Sequence, residues 1–377
     1  MEFTLSKQYH GFELIDRWTI EEVESEAFYF LHKKSGAKLL YLKNDDDNKV
    51  FSVSFRTPPV DSCGTPHIME HSVLCGSAKY PLKEPFVELV KSSLNTFLNA
   101  MTFPDKTMYP IASKNNADFR NLMDVYCDAV FHPMIKNNPY TFYQEGWHYH
   151  IENEDDPIEI NGVVYNEMKG AFSDPEEIMM RHVQLSLYPD TAYFFESGGD
   201  PDVIPELTYE KFMDYYDTFY HPSNSYLYLY GDMNADEYLQ LLDRDYLSAY
   251  EAKSVDSLPK RQTPFEKRKH LEIVYSIDEA DAQDGKAFFT ANYKIGEAED
   301  SLLSYSFNVL MNILFDSDAS PLKNALIEAD IADEITYDYV TGVREPYFSI
   351  IAKNAKADKY ETFLQTINET LENLLRD

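Results

Sequence analysis

The sequence of 377 residues has few cysteines and no long apolar run. Its three cysteines, Cys63, Cys75 and Cys127, are an odd number without a Cys-x-x-Cys pair, which does not indicate a disulfide framework and fits a reducing compartment. No stretch approaches the roughly 20 apolar residues that span a bilayer. The N-terminus also lacks an apolar core flanked by basic residues, so we predict no signal peptide. We therefore expect a soluble, cytoplasmic protein with no membrane partner.

Positive charge is also scarce. There are 33 Lys and Arg residues against 65 Asp and Glu residues, which gives a net charge of −32. Such a surface repels the phosphate backbone of nucleic acids, so we expect no DNA or RNA partner. Solubility explains the acidity, and a long-range attraction for cationic substrates is the second interpretation.

Apolar and aromatic side chains are abundant. Hydrophobic residues make up 44% of the chain, with 29 Tyr and 24 Phe, which is enough for packed cores in two or three domains. Residues 25–57 predict strands joined by a tight turn, whereas residues 116–133 and 209–219 have the apolar spacing of helices. Because the first strands form a hairpin, the pattern favours an α+β fold over a doubly wound sheet.

The order of these patterns predicts the domain organisation. Residues 251–270 are polar and contain two prolines, which is typical of a linker. We therefore assign residues 1–250 to a first domain and residues 271–377 to a second. The second begins with a strand and a helix as the first does, but its helix has no His or Glu, so we predict a duplicated, non-catalytic and incomplete copy.

The candidate chemistry lies in "TPHIMEH", residues 65–71. Thr65 suits a helix N-cap and Pro66 the first helical position. On a helix, His67, Glu70 and His71 share one face, and apolar residues border that face on both sides. Such a trio is either a metal site with its general base or a set of polar residues on an ordinary helix.

The metal interpretation has a definite chemistry. Two imidazoles four residues apart can bind one Zn²⁺ from the same side, and Glu70 would lie beside the ion, where it can accept a proton from water. The order His-x-x-Glu-His is the inverse of the commoner His-Glu-x-x-His zinc-protease motif. A catalytic zinc site needs a third protein ligand, and spacing alone does not select it from so many acidic residues.

Three longer segments add to this motif: "GTPHIMEHSVLCGSAKYPLKEPFVELVKSSLNTFLNAMTFPDKTMYPIAS", "NGVVYNEMKGAFSDPE" and "SGGDPDVIPELTYEKFMDYYDTFYHPSNSYLYLYGD". They resemble the N-terminal portion of insulinase/pitrilysin superfamily zinc metallopeptidases, and most closely the presequence-protease branch with its falcilysin-like enzymes. The resemblance implies duplicated insulinase-type (LuxS/metallopeptidase-like) α+β domains, each with a mixed or antiparallel sheet packed against helices.

The resemblance also assigns site residues. It implies that one Zn²⁺ per chain is bound by His67, His71 and Glu167, with Glu70 as the catalytic general base. The competing interpretation of Glu167 is an acidic residue in the first turn of a helix, where the helix dipole favours it. "LNAMT", residues 98–102, resembles the edge strand on which these enzymes bind substrate, with Asn99 and Ala100 in contact with the peptide backbone. A plain edge strand without a ligand is the alternative.

The function implied by this resemblance is zinc-dependent endopeptidase activity on unstructured oligopeptides. Members of the family have two halves that close over the substrate, and this chain covers only the first. We therefore expect the C-terminal half of the same enzyme as a partner, and weak or no activity without it. The alternative function is a non-catalytic peptide-binding or scaffold subunit of the same fold.

Overall fold

The computed structural model describes residues 3–83, 85–277, 285–317 and 319–376. The chain divides into two units, one formed by Met1–Gly170 with Phe195–Leu258 and the other by Ala171–Phe194 with Pro259–Asp377. Residues 251–265 contain no helix or strand, as a linker requires. The predicted boundary at residue 250 does not describe the units fully, because residues 171–194 lie in the second unit although they precede the linker.

The strands and helices are numbered in chain order. The strands are β1 (Gln8–Tyr9), β2 (Phe12–Ile20), β3 (Ser25–His32), β4 (Lys38–Lys43), β5 (Lys49–Arg56), β6 (Asn95–Leu98), β7 (Met101–Thr102), β8 (Lys106–Ser113), β9 (His148–His150), β10 (Glu159–Asn161), β11 (Ser225–Tyr230), β12 (Ala287–Lys294), β13 (Ala332–Val340) and β14 (Tyr347–Ala355). The helices are α1 (Thr65–Val73), α2 (Pro85–Ser92), α3 (Asn116–Phe131), α4 (Pro139–Glu145), α5 (Val163–Ala171), α6 (Pro175–Leu187), α7 (Tyr209–Phe219), α8 (Ala235–Leu242), α9 (Ser301–Met311), α10 (Pro321–Glu328) and α11 (Tyr360–Leu374).

A nine-stranded sheet forms the centre of the first unit. Its order is β1-β2-β3-β4-β11-β5-β8-β6, and β7 also pairs with β8. The pairing of β11 with β4 is parallel, and every other pairing between the described strands of this sheet is antiparallel. Thus β11, which comes last in the chain, lies between β4 and β5 in the middle of the sheet.

One face of this sheet carries the core. In β5 the side chains of Phe51, Val53 and Phe55 alternate with smaller or polar residues and are fully buried. Phe55 packs edge-on against Phe131 at the end of α3, with ring centroids 5.9 Å apart, and stacks on Tyr220, which follows α7, at 4.7 Å. This alternation buries one sheet face under the helices, as expected for an antiparallel sheet with one packed side.

The second unit repeats part of the first. The succession β5, α1, α2, β6, β8, α3 recurs as β12, α9, α10, β13, β14, α11. The strand orders also correspond, because β8 lies between β5 and β6 just as β14 lies between β12 and β13, with antiparallel pairing in both cases. Helix α9 occupies the place of α1 but contains no His or Glu. The predicted α+β fold with a duplicated arrangement is therefore confirmed.

Two local predictions were wrong. The N-cap of α1 is Gly64, with φ of +69°, and not Thr65. A side chain at Gly64 would meet the backbone of Gly198 and Gly199 at 2.7 Å, so this position requires glycine for both its conformation and its packing. The predicted edge strand "LNAMT" is interrupted, because β6 ends at Leu98 and β7 begins at Met101.

None of the helices in the described part of the chain combines the length and the apolar character that crossing a membrane requires.

Candidate metal centre

Helix α1 holds the three polar residues of the predicted motif on one side. The imidazole rings of His67 and His71 lie one turn apart, with centroids separated by 4.9 Å and planes at 81°. Glu70 is between them in sequence, and the residue is only 7% exposed. The remaining residues of the helix are mostly buried in the core, which fixes the orientation of this face.

Helix α5 brings a carboxylate to the two rings. Oε2 of Glu167 lies 3.7 Å from Nε2 of His67 and 3.8 Å from Nε2 of His71. One ligand atom from each of these residues lies within 4.8 Å of the other two, and this is the only such group of His, Cys, Asp or Glu in the described residues. Ligands about 2.1 Å from a tetrahedral ion are roughly 3.4 Å apart, so imidazole nitrogens and a carboxylate at these distances suit Zn²⁺ after small adjustments.

The other nitrogen of His71 has its own partner. Nδ1 of His71 donates to Oε2 of Glu145, the last residue of α4, at 3.3 Å. Oε1 of the same carboxylate accepts from Nε2 of Gln144 at 3.0 Å and from the thiol of Cys75 at 3.5 Å. This arrangement leaves Nε2 of His71 as the lone-pair nitrogen on the side of Glu167.

The charges around His71 change two pKa values. Burial lowers the pKa of His71, but the hydrogen bond to Glu145 and the charges of Glu70 and Glu167 outweigh it, so the pKa is raised overall. Burial raises the pKa of the Glu145 carboxyl, but the bond from His71 outweighs this effect and the pKa is lowered. The hydrogen bond between them therefore favours the protonated form of His71 and the ionised form of Glu145.

His67 lies in a different environment. Its Nδ1 donates to the carbonyl oxygen of Gly198 at 3.2 Å, which orients Nε2 towards Glu167. Burial and the neighbouring His71 lower the pKa of His67. A neutral imidazole is the form that binds a metal. The lowered pKa of His67 therefore favours a neutral ring whose Nε2 carries a lone pair and can bind a metal.

Glu70 contacts the edge of the sheet. The hydroxyl of Thr102 in β7 donates to Oε2 of Glu70 at 2.6 Å. Glu70 is not a member of the three-residue ligand group, but its charge acts against burial to raise the pKa of both His67 and His71, so its carboxylate lies near that group. This is the placement that a proton acceptor next to a metal requires.

Asn99 and Ala100 lie between β6 and β7 at the edge of the sheet. The backbone N–H of Asn99 donates to the carbonyl of Pro110 at 3.2 Å, and that of Ala100 donates to Oδ1 of Asn99 at 3.0 Å. The hydroxyl of Tyr126 donates to the carbonyl of Asn99 at 3.2 Å. The edge is thus held in place from the core side, close to the strand that contacts Glu70.

Sequence reasoning did not identify three groups at this site: Glu145, the carbonyl of Gly198 and the hydroxyl of Thr102. A single acid among 65 acidic residues gives no signal by itself. The carbonyl of Gly198 is 131 residues from His67 along the chain, and only the fold brings them together. Thr102 lies inside "LNAMT", the segment that resembles the substrate-binding edge, but the sequence does not show that its hydroxyl contacts Glu70.

Two family models match the chain. Residues 56–156 match "Insulinase (Peptidase family M16)", and residues 206–377 match "Peptidase M16 inactive domain". His67, Glu70 and His71 lie within the first match, whereas Glu167 lies between the two. Together the models cover more than half of the chain.

Proteins of similar sequence and fold agree with these two family matches. The chain is 47% identical to Protein HypA of Clostridium perfringens over 100% of this chain and 39% of the relative, and 41% identical to Presequence protease 1 of Arabidopsis thaliana over 97% and 34%. The crystal structure of pitrilysin matches its fold with a TM-score of 0.64 at 17% identity, covering 97% of this chain and 38% of pitrilysin. The chain therefore spans less than two fifths of the length of these relatives. These findings confirm the resemblance, and the chain belongs to the insulinase family of peptidases and, within it, to the presequence-protease branch.

Proposed function

We propose that this chain is the zinc-binding part of a metalloendopeptidase that degrades unstructured oligopeptides. The observation that carries the proposal is the convergence of His67, His71 and Glu167, from two helices distant in sequence, on one point beside the buried carboxylate of Glu70. Membership of a peptidase family supports the reaction class. The chemistry of the donor set supports zinc as the cofactor, with one ion per chain.

The residues of the chain have separate tasks in this proposal. Bound zinc would supply Lewis-acid chemistry, polarising the scissile carbonyl and lowering the pKa of water. Glu70 accepts the proton of the attacking water at its carboxylate and passes it to the leaving amine. Thr102 holds that carboxylate by the hydrogen bond to Oε2, and Glu145 and the Gly198 carbonyl orient the two imidazoles.

The substrate would bind at the edge formed by β6 and β7. A peptide added to a sheet edge is held through its backbone, so recognition depends little on sequence. Asn99 and Ala100 lie at this edge and would contact the peptide backbone. The net charge of −32 supports a preference for basic peptides through long-range attraction.

Full activity would require more than this chain. Since the chain spans 39% and 34% of the length of the two relatives described above, we propose that the rest of a longer enzyme excludes water and completes substrate binding. The chain alone would bind zinc and cleave peptides weakly or not at all. The cytoplasmic location and the lack of a nucleic-acid partner remain predictions.

Metal analysis combined with peptide digestion tests the proposal. The purified chain should hold one zinc per molecule, which a chelator removes and added Zn²⁺ restores. In the longer protein, Glu70→Gln should abolish digestion of an unstructured peptide while zinc content and peptide binding are retained. A chain that holds no zinc after metal reconstitution would overturn the proposal.

The alternative function is a non-catalytic peptide-binding or scaffold subunit. The match of residues 206–377 to an inactive-domain model gives this alternative some support, but that match excludes the three motif residues. The same Glu70→Gln variant separates the two functions. A scaffold would behave identically with and without the carboxylate in every assay, whereas an enzyme would lose turnover.

A further inference from the structure

A separate two-stranded hairpin connects the two helices that support the metal centre. Strands β9 and β10 pair only with each other among the described strands, with His148 opposite Asn161. Just before β9 lies Gly146, which directly follows Glu145 and caps α4. Just after β10 lies Gly162, whose carbonyl accepts the bond from Asn166 N that begins α5. The base of the hairpin, which we call the glycine neck, thus consists of Gly146 and Gly162.

The two neck glycines are in direct backbone contact. A Cβ on Gly162 would overlap the carbonyl oxygen of Gly146 and would lie 2.7 Å from its carbonyl carbon and 2.9 Å from Cα of Trp147. All three of these atoms belong to backbone, so no side-chain rotation can relieve the overlap. Ordinary contacts of a Cβ begin at 3.4 Å, so any side chain at position 162 would open the neck by more than 0.7 Å, because the carbonyl oxygen of Gly146 lies nearer still than its carbonyl carbon.

The neck also rests on α1. A Cβ on Gly146 would lie 3.2 Å from Cγ2 of Ile68, which is fully buried and adjacent to His67. The side chain of Ile68 therefore contacts Gly146, and the backbone of Gly146 contacts Gly162. Because Ile68 fills the space behind Gly146, a wider neck displaces the start of α5 and not α1. Glu167 is on α5, only five residues after Gly162.

We propose that the glycine neck is a positioning device that sets the distance between Glu167 and the two histidines, an inference that rests on the proposed zinc site. The neck joins the helix that ends with the partner of His71 to the helix that carries Glu167. Oε2 of Glu167 already lies 3.7 and 3.8 Å from the two imidazole nitrogens, whereas ligands of one zinc ion are roughly 3.4 Å apart, so a shift of the start of α5 away from α1 would move this carboxylate further from the spacing that zinc requires. Gly146 and Gly162 touch no metal and act only through Glu145, Ile68 and α5.

The experiment compares three glycine variants of the whole chain by their zinc affinity, measured by competition with a chromophoric chelator. We expect Gly162→Ala to weaken zinc binding at least tenfold. Gly146→Ala should weaken it less, because its Cβ would lie 2.8 Å from the carbonyl oxygen of Phe142 and 3.2 Å from Ile68 and would not overlap the other neck glycine. Gly170→Ala is the matched control, because it lies on the same helix α5 as Glu167 with no atom within 4 Å of an added Cβ. Its zinc affinity should equal that of the unmodified chain.

A second measurement separates positioning from general destabilisation. The thermal midpoint is recorded for each variant without and with saturating zinc. A positioning role predicts that Gly162→Ala shows a smaller zinc-induced rise in midpoint than the unmodified chain. Equal zinc-induced rises and equal affinities for all variants would overturn the inference while leaving the proposed function intact. If the unmodified chain binds no zinc, the proposed function itself fails. If Gly162→Ala does not fold, the zinc affinities of Gly146→Ala and Gly170→Ala decide the question. Equal zinc affinities of these two variants would contradict the inference.

Discussion

The carboxylate of Glu145 accepts a hydrogen bond from His71 on the ring nitrogen opposite the one that faces Glu167, at 3.3 Å. This relationship fixes both the tautomer and the ring orientation of a proposed ligand. It was not predictable from the motif, because Glu145 is 74 residues from His71.

Replacing this carboxylate should weaken the metal site. We expect Glu145→Gln to reduce zinc affinity by roughly tenfold to a hundredfold, the usual effect of losing an outer partner of a histidine ligand. Chelator competition measures the change. Glu154→Gln, an exposed position in the β9–β10 hairpin, is the control and should leave the affinity unaltered. An unchanged affinity in Glu145→Gln would show that His71 is oriented by other contacts.

The hydroxyl of Thr102 should contribute to the rate of turnover and not to zinc binding. Thr102→Val keeps the shape of the side chain but removes the 2.6 Å bond to Glu70. A hydrogen bond to a charged group contributes about 1.5 kcal/mol or more, so kcat/KM of the longer protein should fall roughly tenfold with zinc content unchanged. Thr102→Ser restores the hydroxyl and should restore most of the rate. A loss of zinc in Thr102→Val would contradict this assignment.

Peptide binding at the edge of β6 and β7 should depend on the peptide backbone. In Glu70→Gln protein, which should keep a bound peptide intact, methylation of alternate backbone nitrogens should weaken binding roughly fivefold for each methylated nitrogen, because each lost hydrogen bond contributes about 1 kcal/mol. Fluorescence anisotropy with a labelled peptide measures the affinity. Methylation in the opposite register, on nitrogens that point away from the edge, is the control. Identical losses in both registers would argue against binding as an added strand.

His221 should stay neutral to an unusually low pH. Its Nδ1 accepts a hydrogen bond from the backbone N–H of Ser223 at 3.1 Å, and its ring packs edge-on against Tyr250. Burial, together with the charge of Lys253, lowers its pKa from 6.5 to about 4. An NMR titration of the ring should show it largely neutral at pH 5.

The same shift has a consequence for stability. Between pH 6.5 and about 4 the unfolded chain binds a proton at His221 that the folded chain does not, so this residue makes the folded state less stable as the pH falls. From pH 7 to pH 5 the loss should be about 1 kcal/mol after allowing for partial solvent exposure. Urea unfolding without zinc should show a smaller loss in His221→Asn, which keeps a capping acceptor but does not titrate. An equal loss in both proteins would contradict the shifted pKa.

Much of the fold followed from local patterns. The apolar spacing in residues 116–133 and 209–219 predicted α3 and α7, and the alternation in β5 predicted a strand with one buried face. The secondary structure of these elements is predictable from their own residues, because the spacing of the apolar side chains that form the packed face differs between a helix and a strand. The motif on α1 was placed on a helix for the same reason.

The remaining features depend on contacts between distant residues. The N-cap of α1 is Gly64 because the loop at Gly198 and Gly199 packs against it, which no local pattern reveals. Helix α6 precedes the linker but lies in the second unit, since it packs against β12, which follows the linker. Propensity describes one segment at a time, whereas these outcomes are decided by tertiary packing.

The position of β11 has a consequence for synthesis of the protein. Since β11 enters between β4 and β5, a nascent chain shorter than about residue 230 has two half-sheets whose inner edges both lack a neighbour. The ribosome must add more than a hundred residues after β8 before that gap is filled. Premature termination in this interval would therefore release a product with two strand edges that have no hydrogen-bonded neighbour. Chaperones bind such exposed surfaces, and aggregation begins at them.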